Sequence, residues 1–196
     1  MLTVLAVVIG VVISLPAGIF AYRHKRAYAP VTWVAGLLYT IPSLALFAFL
    51  TSYTGLTTLT AEIGLVSYTL LILIRNVVAG LEAVPADVKE AASGMGYTKR
   101  QLLLRVELPL ALPLIAAGVR VATVTTIGLV TVTALIGKGG LGYFMLLGLR
   151  RFFSTPIVVG AGLSVVLAFL AEASLAWGQR LAAPWIRWRV EPGAAG

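Results

Sequence analysis

The sequence predicts an all-α polytopic membrane protein with five transmembrane helices, its N-terminus outside and its C-terminus inside. Three observations carry this. Of 196 residues, 60% are hydrophobic and only 11% charged, far below the roughly 25% of a soluble domain. The apolar residues form continuous runs of about twenty, the length that crosses a bilayer as a helix, whereas barrel strands alternate apolar with polar. Basic residues gather in alternate connections.

The first run, Met1 to Phe20, reads as a true span. Its basic residues follow the apolar stretch instead of preceding it, which opposes a cleaved signal. Pro30 predicts the opening of the second helix, because at the first helical position its missing N–H costs nothing. That span runs from about Val31 to Leu50, the third from Ala61 to Gly80, the fourth from Leu110 to Ile136 and the fifth from Pro156 to Trp177. Pro16 and Pro42 predict kinks in the first two. Residues 1–181 form one membrane domain and 182–196 a short cytoplasmic tail.

Orientation follows from charge. Arg23, Lys25 and Arg26 follow the first span. Lys89, Lys99, Arg100 and Arg105 separate the third from the fourth, and Arg180, Arg187 and Arg189 follow the fifth. Five spans put all of these on one side, against Lys138, Arg150 and Arg151 on the other, and the positive-inside rule makes the first side cytoplasmic. The net charge of +8 then reports topology and contact with anionic lipid, not nucleic-acid binding. Tyr28, Trp33, Trp177, Trp185 and Trp188 suit membrane interfaces. The single histidine, His24, sits in a basic cluster with no second ligand nearby. The absence of cysteine excludes disulfides and thiolate metal sites.

The connection at residues 82–109 is the largest on the cytoplasmic side, and polar. Pro85, Asp87 and Glu90 mark a helix start, where negative charge suits the dipole. Ala91 and Ala92 give a small face open to close approach. Gly94 and Gly96 predict a turn. Leu102, Leu103, Val106 and Leu108 then form a second apolar stripe before Pro109 and Pro113 open the next span. The expectation is helix, glycine turn, helix, laid across the membrane surface as a docking device.

These residues carry a family resemblance. Glu90-Ala91-Ala92, three residues, Gly96, nine residues, then Val106-Glu107-Leu108-Pro109 resembles the EAA loop of ABC importer permeases, with Val106 where the pattern has isoleucine. Thr40 to Leu50 and Leu135 to Gly142 are similar to signatures of permeases for glycine betaine, choline, carnitine and related osmoprotectants. Methionine-type importers share the glycine-rich part, and a methionine or other small-solute importer is the alternative within the class. The resemblance implies a permease dimer, homo- or heteromeric, in a bacterial or archaeal cytoplasmic membrane. It also implies cytoplasmic ABC ATPase subunits and an extracytoplasmic solute-binding protein. Glu90, Ala91, Ala92, Gly96, Val106, Leu108 and Pro109 are then the ATPase-coupling residues. The chain has no phosphate-loop motif of the G-x-x-x-x-G-K-[ST] type, so ATP and magnesium are assigned to the partner ATPase. No catalytic, cofactor or metal residue is assigned here.

Charges in the spans are functional candidates by default. Arg75, Arg120 and Glu172 fall in the inner half, where an intramembrane ion pair is expected, and Glu62 near the outer end, where an interfacial place is expected. Thr123, Thr126 and Thr133 share a face of the fourth span; they either bond their own backbone or line the pathway. Gly137, Gly139, Gly140 and Gly142 form a plain turn; the family resemblance suggests instead a short re-entrant or gating segment, with close approach across a dimer axis. A secondary transporter is the competing class, against which stand the lack of an inverted repeat and the few ionisable groups in the spans.

Overall fold

The computed structural model describes residues 1–182. The tail beyond them, with Trp185, Arg187, Trp188 and Arg189, lies outside the described residues. The chain runs through α1 (Leu2–Arg23), α2 (Lys25–Thr40), α3 (Ser43–Thr54), α4 (Thr58–Glu82), α5 (Ala86–Gly94) and α6 (Lys99–Leu102). A π turn (Leu103–Glu107), α7 (Leu108–Val132), a 3-10 turn (Thr133–Ile136), α8 (Gly142–Arg150) and α9 (Ser154–Ala182) follow. No strand occurs among the described residues. Four stretches are long and apolar enough to cross a membrane: α1, α4, the 38-residue helix from Lys99 to Ile136, and α9. The pair α2–α3, bent by 93°, is long and apolar enough only when its two helices are taken together as one broken span.

α4 is the axis of the bundle. It packs against α1, α2, α3 and α7, and its two ends anchor separate apolar clusters. One joins Ala6, Phe47, Ala61, Leu65 and Ile136; the other joins Val77, Leu81, Leu103 and Ala111. The α1–α4 seam is close because α1 presents Gly10, Ser14 and Gly18 at every fourth position. A Cβ on Gly10 would lie 2.2 Å from Thr69 Oγ1, and one on Gly18 2.6 Å from Val77 Cγ1. Small residues at this spacing bring helix backbones together where lipid supplies no hydrophobic driving force.

Three expectations need correction. The second span is not one helix from Val31 to Leu50. Pro42 pushes Ile41 out of the helical region, to φ −63° and ψ 126°, as a residue before proline prefers. The Ile41 carbonyl freed by this break accepts the Tyr68 hydroxyl of α4. Pro30 does not open a helix either: α2 begins at Lys25, directly after His24, so Pro30 lies in its second turn. The first connection is thus a single residue, and Lys25 and Arg26 form part of a helix.

Third, the stripe Leu102–Leu108 is not a separate surface helix but the beginning of the fourth span. Thr98 starts it with a capping box: Gln101 N donates to Thr98 Oγ1 at 3.3 Å, and Thr98 N donates to Gln101 Oε1 at 2.9 Å. Pro109 would break a plain helix by crowding the carbonyl of Arg105. The π turn before it absorbs the conflict, with Leu108 N bonding back to Leu103 O. α8 is an element the sequence did not announce, because nine residues are too few for a span.

Tyr68→Phe removes the one side-chain donor on the Ile41 carbonyl and leaves the ring. The expected outcome is a loss of about 1–3 kcal/mol, the usual effect of stranding a buried acceptor, read as a lower unfolding midpoint of the purified protein in detergent.

Candidate coupling surface and membrane pathway

α5 hangs from the end of α4 at which Arg23, Lys25 and Arg26 also lie. Val84 is buried and Pro85 sets the entry at φ −56°. The helix ends in a Schellman turn. Tyr97 N donates to Ala92 O at 3.2 Å and Gly96 N to Ser93 O at 3.0 Å, with Gly96 at φ +83°. That left-handed backbone is open to glycine and strained for most side chains. Glu90 and Ala91 face outward, but Ala92 is buried at 3% exposure. The face open to close approach is therefore Glu90–Ala91 and not Ala91–Ala92. Helical periodicity gives the reason: with α5 resting on α6 and the π turn, Ala92 takes the inward position one turn after Val88. Leu108 packs on the inner cluster, and Val106 and Pro109 are half-buried.

A polar chain runs beneath this surface. Lys89 Nζ donates to Tyr22 Oη at 2.9 Å and to Leu81 O at 3.1 Å. Tyr22 Oη donates to Glu107 Oε1 at 3.0 Å, and Arg23 Nη2 to Lys99 O at 2.9 Å. Glu107 is only 6% exposed. Sequence reasoning quoted Glu107 as part of a motif and assigned it nothing, and it missed Tyr22. A signal existed: Leu103, Glu107 and Ala111 fall four apart on the buried stripe, so a carboxylate occupies a core position there.

The structure brings Arg120 and Glu172 together between α7 and α9 and leaves Arg75 apart. Arg120 Nε donates to Glu172 Oε1 at 3.0 Å, and a second guanidinium nitrogen reaches the same oxygen. Nη1 donates to Gln179 Oε1 at 3.2 Å, and Gln179 Nε2 to the Pro113 carbonyl at 3.1 Å. Arg75 is exposed on another face of α4, in a groove with Tyr28, Thr32 and Trp33.

Thr126 and Thr133 are buried and Thr123 half-buried. Each hydroxyl donates at 2.7 Å to a carbonyl of its own helical segment, at Val119, Ala122 and Val130. Their donors are therefore already used. Gly137 closes the 3-10 turn at φ +75°. Gly139 and Gly142 are sites of close approach within the chain: added Cβ atoms would sit 2.2 Å from Ala134 N and 2.1 Å from Thr131 O. These close approaches lie between segments of the one chain; Gly140 stands open at φ +51°. Glu62, near the start of α4, is buried by the chain. It is 6% exposed, and neither carboxylate oxygen has a hydrogen-bond partner among the described residues.

Residues 7–183 match the family described as binding-protein-dependent transport system inner membrane component. The choline transport system permease protein OpuBB of Bacillus subtilis is 33% identical over 93% of this chain and 84% of its own length. The carnitine transport permease protein OpuCD of Listeria monocytogenes is 36% identical, covering 91% and 80%. The osmoprotectant import permease protein OsmW of Salmonella typhimurium is 37% identical, covering 87% and 82%. Among solved structures, an inward-facing MetNI methionine ABC transporter chain superposes with a TM-score of 0.81 at 25% identity, over 92% of this chain and 91% of that one. The chain belongs to this family. It is a multi-pass inner-membrane permease subunit of an ABC importer and not an enzyme. The family implies partner ATPase chains, which carry the nucleotide, and a second permease.

For the Arg120–Glu172 pair, removing Glu172 alone leaves the guanidinium without its counter-charge and with Gln179 as its remaining partner among the described residues. The pair Arg120→Met with Glu172→Met should therefore destabilise by less than the sum of the single changes. The expected interaction energy is about 1 kcal/mol, within the range for contacting residues, read from a double-mutant cycle on unfolding in detergent.

Proposed function

We propose that this permease forms the membrane pathway of an ATP-driven importer for osmoprotectants: glycine betaine, carnitine, choline or related quaternary ammonium solutes. The observation that carries the reading is the exposed Glu90–Ala91 edge of α5, held by the Gly96 turn at the basic end of the bundle. That edge is the surface offered to the ATPase. The chain is oriented with Met1 outside and the α5 loop in the cytoplasm, since Arg23, Lys25, Arg26, Lys89, Lys99, Arg100 and Arg180 fall at that end.

The solute class follows from the relatives, whose printed names are choline, carnitine and osmoprotectant permeases. An extracytoplasmic binding protein delivers the solute, and an aromatic cage suits such a cation. A permease then needs only weak contacts. Of the three threonines, Thr126 and Thr133 are buried within the chain, and only the half-buried Thr123, its hydroxyl engaged with the Val119 carbonyl, is placed to meet a passing solute.

Two measurements test this. Liposomes carrying the complete complex should take up labelled glycine betaine, carnitine or choline only with ATP inside. Uptake of methionine but of none of these three contradicts the solute class, and uptake without ATP contradicts the transporter class. For orientation, Lys138→Cys and Arg100→Cys should label from opposite sides, Lys138→Cys from outside. Both are exposed positions, whereas a side chain at Gly139 would collide with Ala134.

A further inference from the structure

We infer that the hydrogen-bonded chain Lys89–Tyr22–Glu107 is the joint that transmits motion of α5 to the spans, with Tyr22 as the positioning residue at its centre. The inference rests on the coupling reading of α5 and adds the route by which displacement leaves it. Four elements meet at one lysine and one phenol. Lys89 belongs to α5, and its ammonium holds both the Tyr22 hydroxyl of α1 and the Leu81 carbonyl at the inner end of α4. The same hydroxyl donates to Glu107 in the π turn that leads into α7.

The chemistry gives the chain a direction. The ammonium can only donate and the carboxylate only accept, so the phenol between them accepts from one and donates to the other. Both bonds have an ionised partner, which favours them over bonds between neutral groups. Glu107 is 6% exposed and Tyr22 Oη is its sole hydrogen-bond donor among the described residues. A shift of α5 that carried Lys89 away would break its bonds to Tyr22 Oη and Leu81 O, and one that drew Tyr22 along would strip the buried Glu107 of its donor, so α1, α4 and α7 are held to follow. Among the described residues, the side-chain hydrogen bonds from α5 to the spans all come from Lys89. The π turn fits the role: it aligns Glu107 with Leu103 and Ala111 on the buried stripe, and such turns recur at functional places in helices.

The test uses the assembled complex in liposomes, on a Lys138→Cys background. The readout is the change that ATP with vanadate produces in the labelling rate of that cysteine by a membrane-impermeant maleimide. Tyr22→Phe keeps the ring and removes the hydroxyl. It should retain the ATPase subunits and basal hydrolysis, and lower the unfolding midpoint modestly, since the buried Glu107 loses its donor. Its ATP-linked change in labelling should fall about tenfold, the size of an ordinary coupling interaction. Glu107→Gln still accepts a hydrogen bond and should keep more of the change than Glu107→Leu. A Tyr22→Phe complex with the full labelling change overturns the inference, and so does one that no longer assembles with the ATPase subunits, since the hydroxyl is then only structural. Gly96→Val and Glu90→Ala separate the two levels. If they abolish the change and Tyr22→Phe does not, the route alone is wrong. If they also leave it intact, the coupling reading falls, and the route with it.

Discussion

Inside a bilayer no water satisfies a backbone carbonyl or N–H, and this constraint shapes nearly every departure from plain helix in the protein. Each break is repaired from within the chain. Pro42 frees the Ile41 carbonyl, and Tyr68 donates to it. Pro109 disturbs the fourth span, and a π turn restores the bonding with Leu108 N on Leu103 O. The ends of α5 and of the Thr133–Ile136 turn close on themselves through 6→1 bonds, from Tyr97 N to Ala92 O and from Lys138 N to Thr133 O. A glycine takes the left-handed position in each. The threonine hydroxyls obey the same rule by turning to carbonyls of their own helices.

From that constraint follows a division of labour. α4 is packed on several sides and gives the bundle its rigid axis, while α9 remains largely exposed. The small residues of α1 lock it to α4. α5, by contrast, is tied to the bundle by few groups, and the strongest of them are polar. A surface element joined to a rigid axis through directional bonds is suited to pass on a displacement. An element buried by apolar contacts on all sides could not move as a unit.

Much of this was legible in the sequence because it rests on composition and local chemistry. Length and apolarity placed the spans, and the spacing from Glu90 to Pro109 placed the loop. Gly96 announced a turn because few other residues adopt its backbone. What stayed hidden depends on tertiary contact. Pro42 signalled a break, but its 93° angle needs Tyr68 of another helix. Ala92 reads as surface until α5 is laid on the π turn. Lys89, Tyr22 and Glu107 are far apart in the chain and meet only when α1, α5 and α7 converge. Glu62 looked interfacial by position, and nothing local announced its burial.

The central claim is that the Glu90–Ala91 edge of α5 is where the ATPase meets the membrane subunit. The most direct measurement is cross-linking in the assembled, ATP-hydrolysing complex with a short maleimide photo-cross-linker on single cysteines. The account predicts capture of the ATPase subunit from Glu90→Cys and Ala91→Cys, and none from Lys138→Cys at the opposite end. Failure to capture it from either α5 position, in a complex that still assembles and hydrolyses ATP, would contradict the account.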